Sequence, residues 1–169
     1  GSGCALFDFD RDGRLDIYFV NLGDPDAVIP NALYRQKADG TFENVTDSTS
    51  CNADGACMGM GVAAGDLNND GFPELYVSNF GADWLLLNQR GKSFKDITKS
   101  SSVMNPQWGA SVSFVDFDRD GWLDIFVSNY IDYMPLSCRQ LSGTNQDFCG
   151  PHRFEGTTDL LLRNVTGEQ

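Results

Sequence analysis

Histidine is almost missing: the chain holds one, His152, in 169 residues. With five cysteines beside it, that leaves little for zinc ligation or for catalysis built on imidazole. Basic residues are scarce too, 12 against 24 acids, for a net charge of −12. Such a surface repels nucleic acid and anionic lipid and attracts cations. No apolar run approaches a membrane span. No window sustains a 3.6-residue period, and glycine (18) and β-branched residues are frequent, so helix is a poor description. Hydrophobic residues still make up 41%, enough for one compact domain with a sizeable core. The chain opens abruptly on "GSG" with no signal segment in view, which fits a mature or trimmed piece or a tag scar and so says little about compartment.

What is abundant is acid, and it is unevenly placed. "DFDRDGRLD" from Asp8, "DLNNDGFPE" from Asp66 and "DFDRDGWLD" from Asp116 hold 11 of the 24 acidic residues. A recurrence at 58 and then 50 residues makes repeats the first matter to settle. Each acidic stretch lies between two apolar segments: "GCALFDF" and "LDIYFVN", "GMGVAAGD" and "PELYVSN", "WGASVSFVDF" and "LDIFVSN". A third segment follows ("NALYR", "DWLLLN", "DLLLR"), then a glycine-containing turn and a fourth ("FENVT", "FKDIT"); the last unit stops before its fourth. Four short strands per unit predict an all-β chain of β-propeller blades, an arc or fragment of a larger propeller or assembly. The units are 1–50, 51–104 and 105–169, the last carrying a long insertion over 131–156. In the second strands, Leu15, Ile17 and Phe19 face one way and Tyr18 and Val20 the other. Apolar side chains on both faces suit sheets stacked face to face.

Carboxylates at positions 1, 3, 5 and 9 of a nine-residue loop repel one another, by about 1 kcal/mol per pair at ~4 Å even in water. A divalent cation turns that repulsion into a reason for the pattern. Calcium takes six to eight oxygens in irregular geometry, which alternating Asp and Asn on a tight loop supply. Three calcium sites are expected. Their side-chain ligands are Asp8, Asp10, Asp12 and Asp16; Asp66, Asn68, Asp70 and Glu74; Asp116, Asp118, Asp120 and Asp124. Gly13, Gly71 and Gly121 fall at position 6, where the backbone must turn with positive φ. The next residues, Arg14, Phe72 and Trp122, would offer backbone carbonyls. Three dications would carry the net charge from −12 to −6. The second loop has three carboxylates rather than four and is expected to bind most weakly. The first five positions also fit an EF-hand, but position 12 is Phe19, Val77 or Val127 rather than a bidentate Glu, so that reading fails. The competing explanation, plain polar turns, does not account for three copies at one place in the repeat.

The D-x-D-x-D-G-x-x-D loop between apolar strands resembles the FG-GAP/VCBS repeat of integrin-α-type calcium-binding propellers. "GMGVAAGDLNNDGFPELYVSN", "DGTFENVT" and "WGASVSFVDFDRDGWLDIFVSNY" followed by "C…FCGP" are similar, in order, to repeats of the cartilage-acidic-protein (ASPIC/UnbV-associated) group. The resemblance covers essentially the whole chain. It implies an extracellular, secreted or cell-surface module, stabilised by calcium and used for adhesion or scaffolding. Two departures stand out: such propellers close with about seven blades, and the second loop ends in Glu74 where Asp is usual.

Cys51 with Cys57, and Cys138 with Cys149, each flank a short polar stretch, which suits local disulfides in an oxidising compartment; a single zinc site made by all four is the alternative. Cys4 aligns with Val62 and Val112 and reads as a buried, reduced core residue. Asn44 and Asn164, each in "NVT", match the glycosylation pattern. The tryptophans at 84, 108 and 122 read as blade packing.

Two apolar flanks and an unpaired edge point to partners: further copies in a head-to-tail oligomer or fibre, or extracellular matrix and glycan, with no nucleic acid and no membrane insertion. The leading reading is non-enzymatic. The alternative is a calcium-dependent polysaccharide-binding or polysaccharide-lyase propeller, for which the chain shows no basic cleft and no nucleophile beside His152.

Overall fold

The computed structural model describes residues 3–22, 29–52, 58–134, 138–139, 146–147 and 149–165. Nearly all of the regular structure is antiparallel β. Strands β1 (Gly3–Phe7), β2 (Asp16–Val20), β3 (Ala32–Gln36) and β4 (Phe42–Asn44) form one sheet in that order. A four-residue helix, α1 (Thr46–Thr49), follows. Strands β5 (Gly59–Gly65), β6 (Glu74–Asn79), β7 (Trp84–Asn88) and β8 (Phe94–Asp96) repeat the arrangement. The third sheet has three strands, β9 (Gly109–Val115), β10 (Asp124–Asn129) and, beyond a small hairpin of β11 (Cys138–Arg139) and β12 (Gln146–Asp147), β13 (Leu160–Leu162). The three sheets follow one another in the layout expected of propeller blades.

Alternation along the second strand of each sheet decides what is buried. In β2, Tyr18 and Val20 lie in the core while Phe19 is 40% exposed. All six residues of β6 are buried, because the second sheet has a neighbour on each face. Leu75, Val77 and Leu86 face the first sheet and pack with Phe7, Phe9, Tyr18, Val20 and Leu33. Tyr76 and Leu85 face the third and pack with Leu67, Ile125 and Val127. Trp84 joins the first of these cores, and Trp108 stacks edge-on against Phe80 at 4.7 Å. The outer faces of the first and third sheets keep Leu6, Leu15, Phe42, Phe117, Phe126 and Leu161 exposed.

Two cysteine expectations are corrected here. Cys4 is exposed and free rather than buried. It occupies the repeat position of Val62 and Val112, but those two pack against the preceding sheet, and no sheet precedes the first in this chain. Cys51 is also a free thiol, fully buried in the core between the first two sheets, where its Sγ lies 3.7 Å from the Thr46 carbonyl oxygen. The expected Cys51–Cys57 bridge is therefore absent, and Cys57 lies outside the described residues. Packing has claimed Cys51: the Tyr18 hydroxyl also donates to its carbonyl, at 2.9 Å. Burial in apolar surroundings pushes its thiol pKa up. The zinc alternative needs all four thiols unbridged, and the bridge at Cys149 removes one of them. Cys149 is disulfide-bonded; the side chain of Cys138, its expected partner, lies outside the described residues.

Candidate metal loops

Each acidic stretch is the connection from the first to the second strand of its sheet, and the three loops fold alike. The position 1 carboxylate collects the N–H groups of positions 5 and 6. Asp8 accepts from Asp12 (3.0 Å) and Gly13 (2.8 Å), Asp66 from Asp70 (3.0 Å) and Gly71 (2.8 Å), and Asp116 from Asp120 and Gly121 (both 3.1 Å). The position 5 carboxylate accepts from position 7: Asp12 from Arg14, Asp70 from Phe72, Asp120 from Trp122. These local bonds force the backbone into a tight coil. Position 6 has φ of 85°, 89° and 89° at Gly13, Gly71 and Gly121, a region that favours glycine. Position 4 is left-handed as well, at Arg11, Asn69 and Arg119, which the sequence does not announce.

The coil brings acids together in the first and third loops. One carboxylate oxygen from each of Asp8, Asp10 and Asp16 lies within 4.8 Å of the others, and the same holds for Asp116, Asp118 and Asp120. The second loop, with Asn68 in place of an acid, forms no such group of three carboxylates, although Asn68 accepts the Asp70 N–H at 2.9 Å as Asp10 does that of Asp12 at 3.3 Å. The donor set is all oxygen, with no histidine or cysteine, which fits a hard divalent cation of the calcium type.

Position 9 does a second job. Asp16 accepts the Phe9 N–H (3.1 Å) and the Gln36 N–H (2.8 Å); Glu74 those of Leu67 (2.8 Å) and Asn88 (3.3 Å); Asp124 those of Phe117 (3.1 Å) and Asn164 (2.7 Å). All three acids are buried. Each bolts the start of its loop to the third strand, and each oxygen still has a lone pair for a cation. Burial sets the titration of Glu74 and Asp16. It pushes Glu74 up to about 7, against the pull of its two backbone donors and with help from Asp70 and Asp66. Asp16 is raised in the same way, and so is Asp10, where burial outweighs the nearby Arg35 guanidinium. Anions held this far from water call for positive charge.

Sequence reasoning missed two sets of residues. The first is a pair of asparagines at one register position. The Asn88 side-chain amide donates to the Phe9 carbonyl in the preceding loop (2.9 Å) and to the Pro73 carbonyl in its own (3.1 Å). The Asn164 amide does the same with Leu67 (2.7 Å) and Leu123 (3.0 Å). These amides staple neighbouring blades at the loops. The signal was present, an asparagine closing the third strand of two units, but at Asn164 the "NVT" pattern drew attention to sugar. In the folded chain the Asn164 amide nitrogen is engaged by these two carbonyls. Asn44 is exposed, and its Oδ1 accepts from the Thr46 N–H (3.0 Å) and hydroxyl (2.6 Å). Asp96 and Thr98 make the same turn in the second sheet, so "NVT" at Asn44 is also a turn signal.

The second set is Arg35 and Arg163. Arg35 Nη2 lies 2.6 Å from Asp10 and 3.4 Å from Asp12. Arg163 reaches Asp118 through Nε at 2.7 Å and Asp120 through Nη2 at 3.4 Å. Arg14 pairs with Asp12 as well. Neighbouring loops also touch: the Arg11 guanidinium sits 5.3 Å from the centre of the Phe72 ring, and Asn69 donates to the Gly121 carbonyl at 3.1 Å.

Comparison with known proteins agrees with this geometry. The FG-GAP-like repeat matches residues 8–77 and again 66–127, the two spans from one acidic loop into the strand after the next. The chain belongs to the FG-GAP-like repeat family. It is similar to cartilage acidic protein 1 of Xenopus tropicalis, 36% identical over 160 residues, 92% of this chain and 24% of that protein. It is also similar to integrin alpha-7 of Rattus norvegicus, 27% identical over 142 residues, 79% of this chain and 12% of the relative. The chain thus spans a quarter or less of the length of these relatives. FG-GAP membership makes it a β-propeller-type module, and no helix among the described residues is long and apolar enough to cross a membrane.

Proposed function

We propose that this chain is an extracellular calcium-binding module whose metal ions rigidify each blade of a β-propeller used in adhesion, matrix contact or fibre assembly. The observation that carries the reading is the gathering of three carboxylates within 4.8 Å in each of two equivalent loops. Backbone hydrogen bonds hold those loops in one shape, so a cation would meet a site that is already formed. Asp8, Asp10, Asp12 and Asp16 would hold the first ion, and Asp116, Asp118, Asp120 and Asp124 the third. Asp66, Asn68, Asp70 and Glu74 would hold the second, most weakly. The Arg14, Phe72 and Trp122 carbonyls would complete the spheres. The ion supplies positive charge to buried anions and no chemistry beyond that, so the role is structural and the module non-enzymatic.

The similarity to a cartilage acidic protein and to an integrin α chain supports a secreted or cell-surface setting and partners drawn from protein or matrix. The disulfide at Cys149 agrees with an oxidising compartment, and the exposed Asn44 remains a glycan acceptor there. The test is thermal melting with calcium and with chelator, alongside calorimetric titration. A site held at a hundred times its Kd adds about 2.7 kcal/mol, so calcium should raise the midpoint by several degrees per filled site. Equal midpoints in calcium and chelator, with no titration heat, would overturn the proposal.

A further inference from the structure

Strand register makes Arg35, Leu87 and Arg163 the same residue of the repeat. Ile17 pairs with Tyr34, Leu75 with Leu86 and Ile125 with Leu162, and each of the three comes one residue later. In the first and third loops this position is arginine, and its guanidinium spans the acids of loop positions 3 and 5, Asp10 with Asp12 and Asp118 with Asp120. In the second loop position 3 is Asn68, one carboxylate has gone, and the facing residue is Leu87. The arginine therefore appears where the extra acid appears and is replaced by an apolar residue where that acid is an amide. Both arginines are well exposed, with 42% and 50% of their side-chain surface open to water.

We infer that Arg35 and Arg163 are tethered counter-cations that compete with calcium at the first and third loops. Each neutralises positions 3 and 5 when the metal is absent and yields those carboxylates when it arrives. This inference rests on the calcium reading of the loops. The competition follows from charge alone. The oxygens of positions 3 and 5 cannot serve a guanidinium and a dication at full strength together. A guanidinium left about 7 Å from a dication opposes binding by roughly 1 kcal/mol even at the dielectric of water. The arginines thus trade affinity for a loop that keeps its shape without metal. The four-carboxylate loops need that help, and the second loop, with three, does without it. The charge count alone would make the second loop much the weakest; the tethered cations narrow the gap.

The experiment is calorimetric titration with calcium chloride of the wild-type chain and of the double variant Arg35→Leu/Arg163→Leu, which copies Leu87. Melting midpoints are measured in chelator and in calcium. The expected result is roughly three- to tenfold tighter calcium at two sites, together with a lower midpoint in chelator. Arg35→Lys/Arg163→Lys keeps the charge but cannot bridge two carboxylates as a planar fork does, and should fall between wild type and the leucine variant. It also serves as the test if the leucine variant does not fold without metal. Unchanged or weaker calcium binding in both variants overturns the inference while leaving the calcium sites standing. No heat from the wild type overturns the calcium reading itself.

Discussion

Asn88→Ala tests the staple between the first two blades. Asn88 is 2% exposed, and its side chain makes three hydrogen bonds: to the Phe9 carbonyl at 2.9 Å, to the Pro73 carbonyl at 3.1 Å, and from the Gly91 N–H at 2.8 Å. Truncation removes all three partners at once. A buried polar group left unpaired costs roughly 1–3 kcal/mol. Water can reach part of this region at the loop rim, so the low end applies, and the three together come to about 3 kcal/mol. For a chain of this size that is a fall of roughly 6–12 °C in the melting midpoint. The repeat supplies its own controls. Asn164→Ala removes the equivalent bonds at the second junction, where the residue is half-buried, and should cost about 2 kcal/mol. Gln36 holds the same register position in the first blade, with no blade before it in this chain, so Gln36→Ala should stay within about 0.5 kcal/mol of wild type. Melting by circular dichroism in saturating calcium reads all three. If Asn88→Ala melts with Gln36→Ala, the amide-to-carbonyl bonds across the junction contribute nothing and the staple is refuted.

Asp83 is fully buried at the other end of the second blade. It accepts from the Asn79 N–H, the Asn105 amide and the Tyr76 hydroxyl, and burial nonetheless raises it to about 6. The folded state then holds the proton more tightly than the unfolded chain, so this group's contribution is greatest below pH 4 and is lost as pH rises to 6. The loss is at most about 3 kcal/mol, and Asp83→Asn should flatten that slope in melts at pH 4, 5, 6 and 7. A steeper slope in the variant would reverse the assignment. The thiols differ sharply as well: alkylation followed by peptide mapping should label Cys4 in the native protein and Cys51 only in denaturant. Native labelling of Cys51 would contradict its place in the core.

Much of the architecture could be read from the chain because one signal was repeated. Three acidic loops with glycine at a fixed place, flanked by apolar segments, marked where strands end and how the sheets recur. The apolar residues on both faces of the second strands, read on Leu15 to Val20, announced sheets stacked face to face, and the second sheet shows it with all of β6 buried. Cys4 was misjudged because its surroundings depend on which sheet precedes it, and local sequence carries no such information. Cys51 was misjudged because a polar stretch beside it suggested a bridge, whereas long-range packing under Tyr18 decided its state. The second role of Asp16, Glu74 and Asp124 was hidden for a different reason. Their partners are backbone N–H groups in the loop and at or just past the end of the third strand, and backbone leaves no mark in a sequence. The asparagine staples and the two arginines do leave a mark, but only after register shows that Asn88 matches Asn164 and that Arg35 matches Arg163.

The direct contacts from one loop to the next run forward along the chain, while the amides of Asn88 and Asn164 reach back. Arg11 of the first reaches over Phe72 of the second, and Asn69 of the second reaches Gly121 of the third. The acidic turns thus overlap like shingles, each resting on the one that follows. Losing the Arg11 or the Asn69 side chain would therefore open one overlap each, while the third turn is held through the Gly121 backbone carbonyl, which no side-chain change removes.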